Sequence, residues 1–382
     1  MILVAINFFW MGWDFRTNAG FTDDFVKVNA SDKEESYYKE LHHKLDGKLD
    51  LEKVSYVADE YHRYHTLVSG DYNKEYDENM HTGYVFGDYS LLTVHFYNPI
   101  KYLVTYKEQN EKFVKIAEDN VCFFTEKNNV FEIEKNNYIL EHYKNRNPVC
   151  FYETSGWKHL FFYDKSDLFI LVLLMIGIIP TFSKEEKNGM ETIQITSVRG
   201  SKMFILVKMI AHIFIAIMLE LWFGVFNFLI IHMQYGLAGP EMMLYSISDY
   251  QYTPFNVSVM EFYLILVLSK CIGFAFISII LTLIARIVKN SYFIFLLMVG
   301  FACCFLYLSG FNNGITLFEE VLTLLSPFSL LKIGEIAMYM REVRICGHFF
   351  TLQSSLFGIQ CILIIQLFIV LYLIEKKGKV IR

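Results

Sequence analysis

Two charged side chains stand where charge is costly. Glu220 and Lys270 each lie within a long apolar run. An ionised group deep in a bilayer costs several kcal/mol unless it faces a partner or a cavity. Counted from the inner ends of these runs near Val207 and Ala285, both residues sit roughly 20 Å from the inner membrane edge. The runs are consecutive and therefore antiparallel, so a Glu220–Lys270 pair between helices is expected. Such a pair either fixes packing or marks a polar point on a conduit. His212 lies one helical turn from Lys208, near the inner surface, where interfacial solvation would account for it. Gly273 and Gly300 would let helices approach closely.

Other reactive residue types do not assemble into a familiar motif. His42, His43, His62, His65 and His81 crowd the first quarter of the chain. His62 and His65 would share one helix face near Glu60, but there is no HExxH and no second acid at metal-ligand spacing. A polar helix surface rich in Tyr and His is expected, with no metal. No GxSxG is present. None of the seven cysteines forms a CxxC pair, which argues against zinc. Cys122 and Cys150 could pair if their region lies outside the cell. There is no GxxxxGK[ST] either. The chain is therefore not expected to be an enzyme or to bind a cofactor itself.

The elements that must position these residues follow from hydropathy. Of the 382 residues 54% are hydrophobic and 19% charged, below the roughly 25% charged of a soluble domain. The charge is concentrated in residues 14–165, where acids outnumber bases. A helix needs roughly 20 apolar residues to cross a bilayer. Leu168–Phe182, Met203–His232, Met260–Ile287, Tyr292–Gly310 and Ser354–Ile374 meet or approach that length. The first is short and would enter through the interface with Trp157 and Tyr163 as anchors. A sixth run, Ile2–Trp13, is short for a full span and is expected to be a first span that is either thin or missing its cytoplasmic start.

Lys and Arg distribution orients the spans. Lys184, Lys187, Arg199 and Lys202 follow one span, Arg286 and Lys289 another, and Lys376, Lys377, Lys379 and Arg382 end the chain. Residues 233–259 contain neither Lys nor Arg. The reading is an all-α polytopic protein of the plasma membrane with about six transmembrane helices and a cytoplasmic C-terminus. Residues 1–13 form the first span, 14–165 a mostly helical extracytoplasmic domain inserted after it, and 166–382 a five-span domain. In the outer block, Ser31 or Asp32 can cap a helix with Glu34 and Glu35 in its first turn. Leu51–Leu67 and Ile100–Phe123 carry apolar residues at three- and four-residue steps. Gly47, Gly70, Gly87 and Pro99 punctuate the block.

The most specific stretch is FSKEEKNGMETIQITSVRGSKMFILVK, Phe182–Lys208. A short amphipathic helix against the inner leaflet, over 183–202, is the simplest account of its pattern. Here the chain resembles the permease subunits of type-2 ABC exporters, in which an acid-containing stretch follows the second span. Glu185, Gly189, Thr196, Arg199 and Lys208 match that pattern by type and order, while Met190 stands where Thr is common. Ser326–Phe328 before the last span and the overall arrangement of spans agree as well. The resemblance implies a pathway-forming subunit, as homodimer or heterodimer with a second permease, in contact with membrane lipid and with no nucleic acid. It implies that ATP and Mg are bound by a separate ABC ATPase. Glu185, Glu186, Gly189, Thr196 and Arg199 would dock that ATPase through the coupling helix, with charges setting register. The substrate would be a peptide, antimicrobial peptides included, or a lipid-like molecule moved out of the cell. The other reading is a membrane sensor or immunity protein whose outer domain binds a ligand.

Overall fold

The computed structural model describes residues 6, 7, 9–11, 32–69, 79–187, 200–288, 291–309 and 317–378. In chain order these form α1 (Asp32–Leu45), β1 (Gly47–Lys48), α2 (Leu51–Val68), α3 (Val85–Leu92) and a π-helical turn at Thr93–Tyr97. Then come α4 (Asn98–Glu126), α5 (Val130–Tyr143), β2 (Cys150–Phe151), α6 (Ser155–Phe162), α7 (Lys165–Lys187) and α8 (Gly200–Tyr235). α9 (Val259–Ile287), α10 (Ser291–Ser309), α11 (Leu317–Leu325), α12 (Ile333–Ile336), a hairpin of β3 (Glu342–Ile345) and β4 (His348–Thr351), and α13 (Leu352–Gly378) complete the chain.

The chain divides into two compact units. The first comprises Met1–Leu160, Ile230–Phe262 and Met338–Phe349, so three stretches build it rather than the 14–165 block alone. The periodic segments are α2 and α4. Asp50 caps α2 by accepting from the Lys53 amide at 2.8 Å, and Asn129 caps α5 by accepting from the Glu132 amide, as short polar residues do at helix starts. Between α4 and α5, Asn128 takes φ +53°, a left-handed conformation Asn tolerates better than most residues. Pro99 does not break the chain: it occupies the first turn of α4, where its missing N–H costs little. Gly87 lies inside α3, and a Cβ there would collide with Thr82. Gly70 falls outside the described residues.

The core of this unit packs Tyr38, Leu41, Leu45, Val57, Leu91, Phe96, Ile100 and Phe151 together. A second cluster joins Val114 and Ala117 of α4 to Ile139 and Tyr143 of α5. Asp88, fully buried, closes the turn before α3 by accepting from the amides of His81 and Thr82 and the Thr82 hydroxyl at 2.7–3.0 Å. Arg146 attaches the 230–262 stretch. Its guanidinium is buried and donates to the carbonyls of His142, Thr253 and Phe255. It lies over the Tyr143 ring at 3.9 Å. Tyr102, Tyr143 and Trp157 donate to the carbonyls of Tyr245, Tyr252 and Ala238. The 338–349 stretch is held by Glu134, which accepts from the Phe349 amide and meets His348 at 2.8 Å, and by the Lys135–Glu342 ion pair.

The second unit comprises Phe161–Leu229, Tyr263–Ala337 and Phe350–Arg382. Among the described residues three helices are long and apolar enough to cross a membrane: Ile205–Met233, Val259–Ile287 and Leu352–Val370. Tyr292–Cys303 is a shorter apolar helix. Leu168–Phe182 lies within α7, which contains Pro180 and so lacks one backbone donor. Of the first apolar run, Ile6, Asn7 and Phe9–Met11 are helical.

Where α8 passes α9, a Cβ on Gly224 would touch Val267 at 3.4 Å, and the Tyr263 hydroxyl donates to the Gly224 carbonyl at 2.7 Å. Gly273 is a point of close approach, since a Cβ there would meet Leu331, Leu330 and the Pro327 carbonyl at 3.0–3.2 Å. Gly300 is not: among the described residues nothing lies within 4 Å of its added Cβ. Ser326–Phe328 belongs to a buried 3₁₀ turn. Gln360 of α13 donates to the Leu324 and Ser326 carbonyls where α11 ends, satisfying acceptors that lipid cannot.

Candidate functional site

The charged residues inside the second unit do meet, with one partner different from that expected. Lys270 on α9 donates from Nζ to both carboxylate oxygens of Asp167 at 2.9 Å and to the Tyr163 carbonyl at 3.2 Å. Three ammonium protons thus have three acceptors. Lys270 is 5% exposed and Asp167 8%. The expected Glu220–Lys270 ion pair is therefore corrected to Asp167–Lys270. Glu220 on α8 is 3% exposed and lies within electrostatic reach of both charges without pairing directly. Depth counting on α8 and α9 could place Glu220 and Lys270 at one level, but a third helix supplies the closer acid. Asp167 stands in the first turn of α7. The sequence signal was the doubled acid Asp164 and Asp167 immediately before an apolar run.

A cavity of about 200 Å³ opens beside the pair. Leu168, Leu171, Phe328 and Leu331 give it apolar walls, while Asp164, Asp167, Lys165 and Lys332 give it charge. Lys165 pairs with Asp164 at 3.2 Å and Lys332 with Glu335 at 3.6 Å. Such a site can hold a molecule with an apolar body and a polar head. Ser269, one residue before Lys270, donates to the Leu330 carbonyl at 2.8 Å and fixes α9 against the turn that forms one wall.

His212 is not solvated as expected: it is buried within the protein, and its Nδ1 lies 2.9 Å from the Thr282 hydroxyl. Lys208 is also buried and donates to the Thr181 carbonyl at 3.3 Å.

Of the expected docking residues, Glu185 and Glu186 lie on the last turn of α7, which runs on to Lys187. Gly189, Thr196 and Arg199 lie outside the described residues, as does the centre of the expected coupling helix. α8 begins at Gly200.

In the first unit, His62 and His65 are exposed on α2, and His43 on α1. His81 stacks on Tyr37 with ring centroids 3.6 Å apart. Among the described residues no group of His, Cys, Asp and Glu could hold a metal ion. Cys122 and Cys150 are both free thiols, so the disulfide considered from their location is absent. His42 differs from its neighbours. It is buried, touches the rings of Tyr38, Phe96 and Phe151, and pairs with Asp46 at 2.8 Å. It lines a second cavity of about 230 Å³, together with Tyr38, His95, Glu153 and Lys158. Spacing could not single out His42, because adjacent His42 and His43 differ only in which helix face is covered.

The chain matches no protein-family model, no curated protein and no solved structure.

Proposed function

We propose that this chain is the membrane-spanning permease subunit of an ATP-driven type-2 ABC exporter with about six spans. A separate ATPase drives it, and it moves a peptide or lipid-like substrate out of the cell. The observation that carries the reading is the Phe182–Lys208 stretch, whose acids, glycine, threonine and arginine follow the order of that family's coupling segment. It lies between two apolar helices, α7 and α8. A second observation supports the topology. The outer block as far as Leu160 and residues 233–259, the stretch without Lys or Arg, fall in one compact unit. The Asp167–Lys270 pair with Glu220 nearby supplies a polar point among apolar helices, as transport pathways use.

The test is charge reversal at the proposed ATPase contact. Glu185→Lys with Glu186→Lys should abolish co-purification of the ATPase and reduce export at least tenfold. Normal export and co-purification by the double variant would remove the docking assignment. The alternative, a sensor or immunity protein, is favoured by one feature, the cavity of the first unit. It predicts ligand binding with no ATPase partner.

A further inference from the structure

The cavity of the first unit has a chemical bias that neither functional reading supplies. Two of its basic groups are already matched by acids. Lys158 pairs with Asp249 at 2.7 Å, and His42 with Asp46 at 2.8 Å. Glu153 makes its hydrogen bonds to hydroxyl groups. It accepts from Tyr38 at 2.9 Å and from Ser155. His42 and Asp46 act on it electrostatically in opposite senses. Burial outweighs the opposing effect of His42 and holds the Glu153 carboxyl above the ordinary glutamate range.

The cavity wall also contains Val94 and His95 of the π-helical turn Thr93–Tyr97. Single π-helical turns occur frequently at functional sites. Tyr38, Tyr102 and Phe151 add aromatic surface, which attracts cations.

We infer that this cavity binds a protonated primary amine, with Glu153 as counter-ion and the rings of Tyr38, Tyr102 and Phe151 lining the same space. A volume of about 230 Å³ admits a group the size of one residue, whether a small free amine or the amino end of a peptide. The inference does not depend on the exporter reading.

The test uses the full chain in detergent micelles and isothermal titration with two probes, n-butylamine and a tetra-alanine amide with a free amino terminus. Their N-acetylated forms are the controls. Saturable binding of at least one amine is expected, with acetylation weakening it at least tenfold. Glu153→Gln should weaken it by a similar factor. Glu118→Gln, an exposed acid on α4 paired with Lys144, should leave it unchanged. Tighter binding of the peptide assigns the amine to a peptide source, and binding of butylamine alone to a free amine. The inference is overturned if acetylated probes bind equally well, if neither amine binds, or if folded Glu153→Gln binds as wild type. Should Glu153→Gln fail to fold, the comparison of free and acetylated probes on the wild-type chain decides by itself.

Discussion

Replacing Lys270 by Met keeps the approximate volume and removes the ammonium. In the native chain that ammonium satisfies two Asp167 oxygens and the Tyr163 carbonyl, and both charged side chains are at least nine-tenths buried. Lys270→Met leaves a buried carboxylate without its cation and with Glu220 still in electrostatic reach. Removing one partner of a buried pair costs about 3–5 kcal/mol, which is a factor of roughly 10²–10³ or more in the folded fraction. Replacing both partners by apolar residues of similar shape is often neutral. Lys270→Met with Asp167→Leu should therefore regain most of the loss, to within about 1 kcal/mol of wild type, the Tyr163 carbonyl remaining unpaired. Thermal unfolding in detergent, followed by the fraction that elutes monodisperse after heating, reads this directly. The double-mutant cycle isolates the interaction. Glu220→Gln should be far milder than Lys270→Met, because Glu220 does not hold the ammonium. Equal losses in Lys270→Met and the double variant would refute the pairing. So would rescue of Lys270→Met by Glu220→Gln but not by Asp167→Leu.

Two further substitutions test packing and assembly. Gly273→Ala should destabilise by about 1–3 kcal/mol through overpacking against Leu330, Leu331 and Pro327. Gly300→Ala, with open space at its Cβ, should be neutral or slightly stabilising because Ala is the better helix former. Thermal shift of the purified chain separates the two. Arg146→Met should cost about 2–4 kcal/mol, since it removes charge-assisted bonds to the Thr253 and Phe255 carbonyls. Hydrogen exchange should rise selectively in residues 233–259, and uniform protection there would contradict the assigned role.

Much of the local structure was legible in the sequence. Leu51–Leu67 and Ile100–Phe123 were marked by apolar steps of three and four, and both are helices in the first unit. Met203–His232, Met260–Ile287 and Ser354–Ile374 were marked by length and hydropathy, and each corresponds to a helix able to cross a membrane. Pro99 and Gly87 misled as punctuation. A proline is harmless in a first helical turn, and a glycine can be chosen for a close neighbour such as Thr82 instead of for a turn.

Helix formation depends on neighbours three and four positions apart, and membrane compatibility depends on composition summed along one segment. Both quantities are written in order along the chain, so they could be read without coordinates. The choice of Asp167 over Glu220 for Lys270, and the burial of His42 beside exposed His43, were decided by packing alone. A pairing between residues over a hundred positions apart depends on which helices become neighbours and how each is rotated. That is set by the fit of whole surfaces, and no single segment carries it.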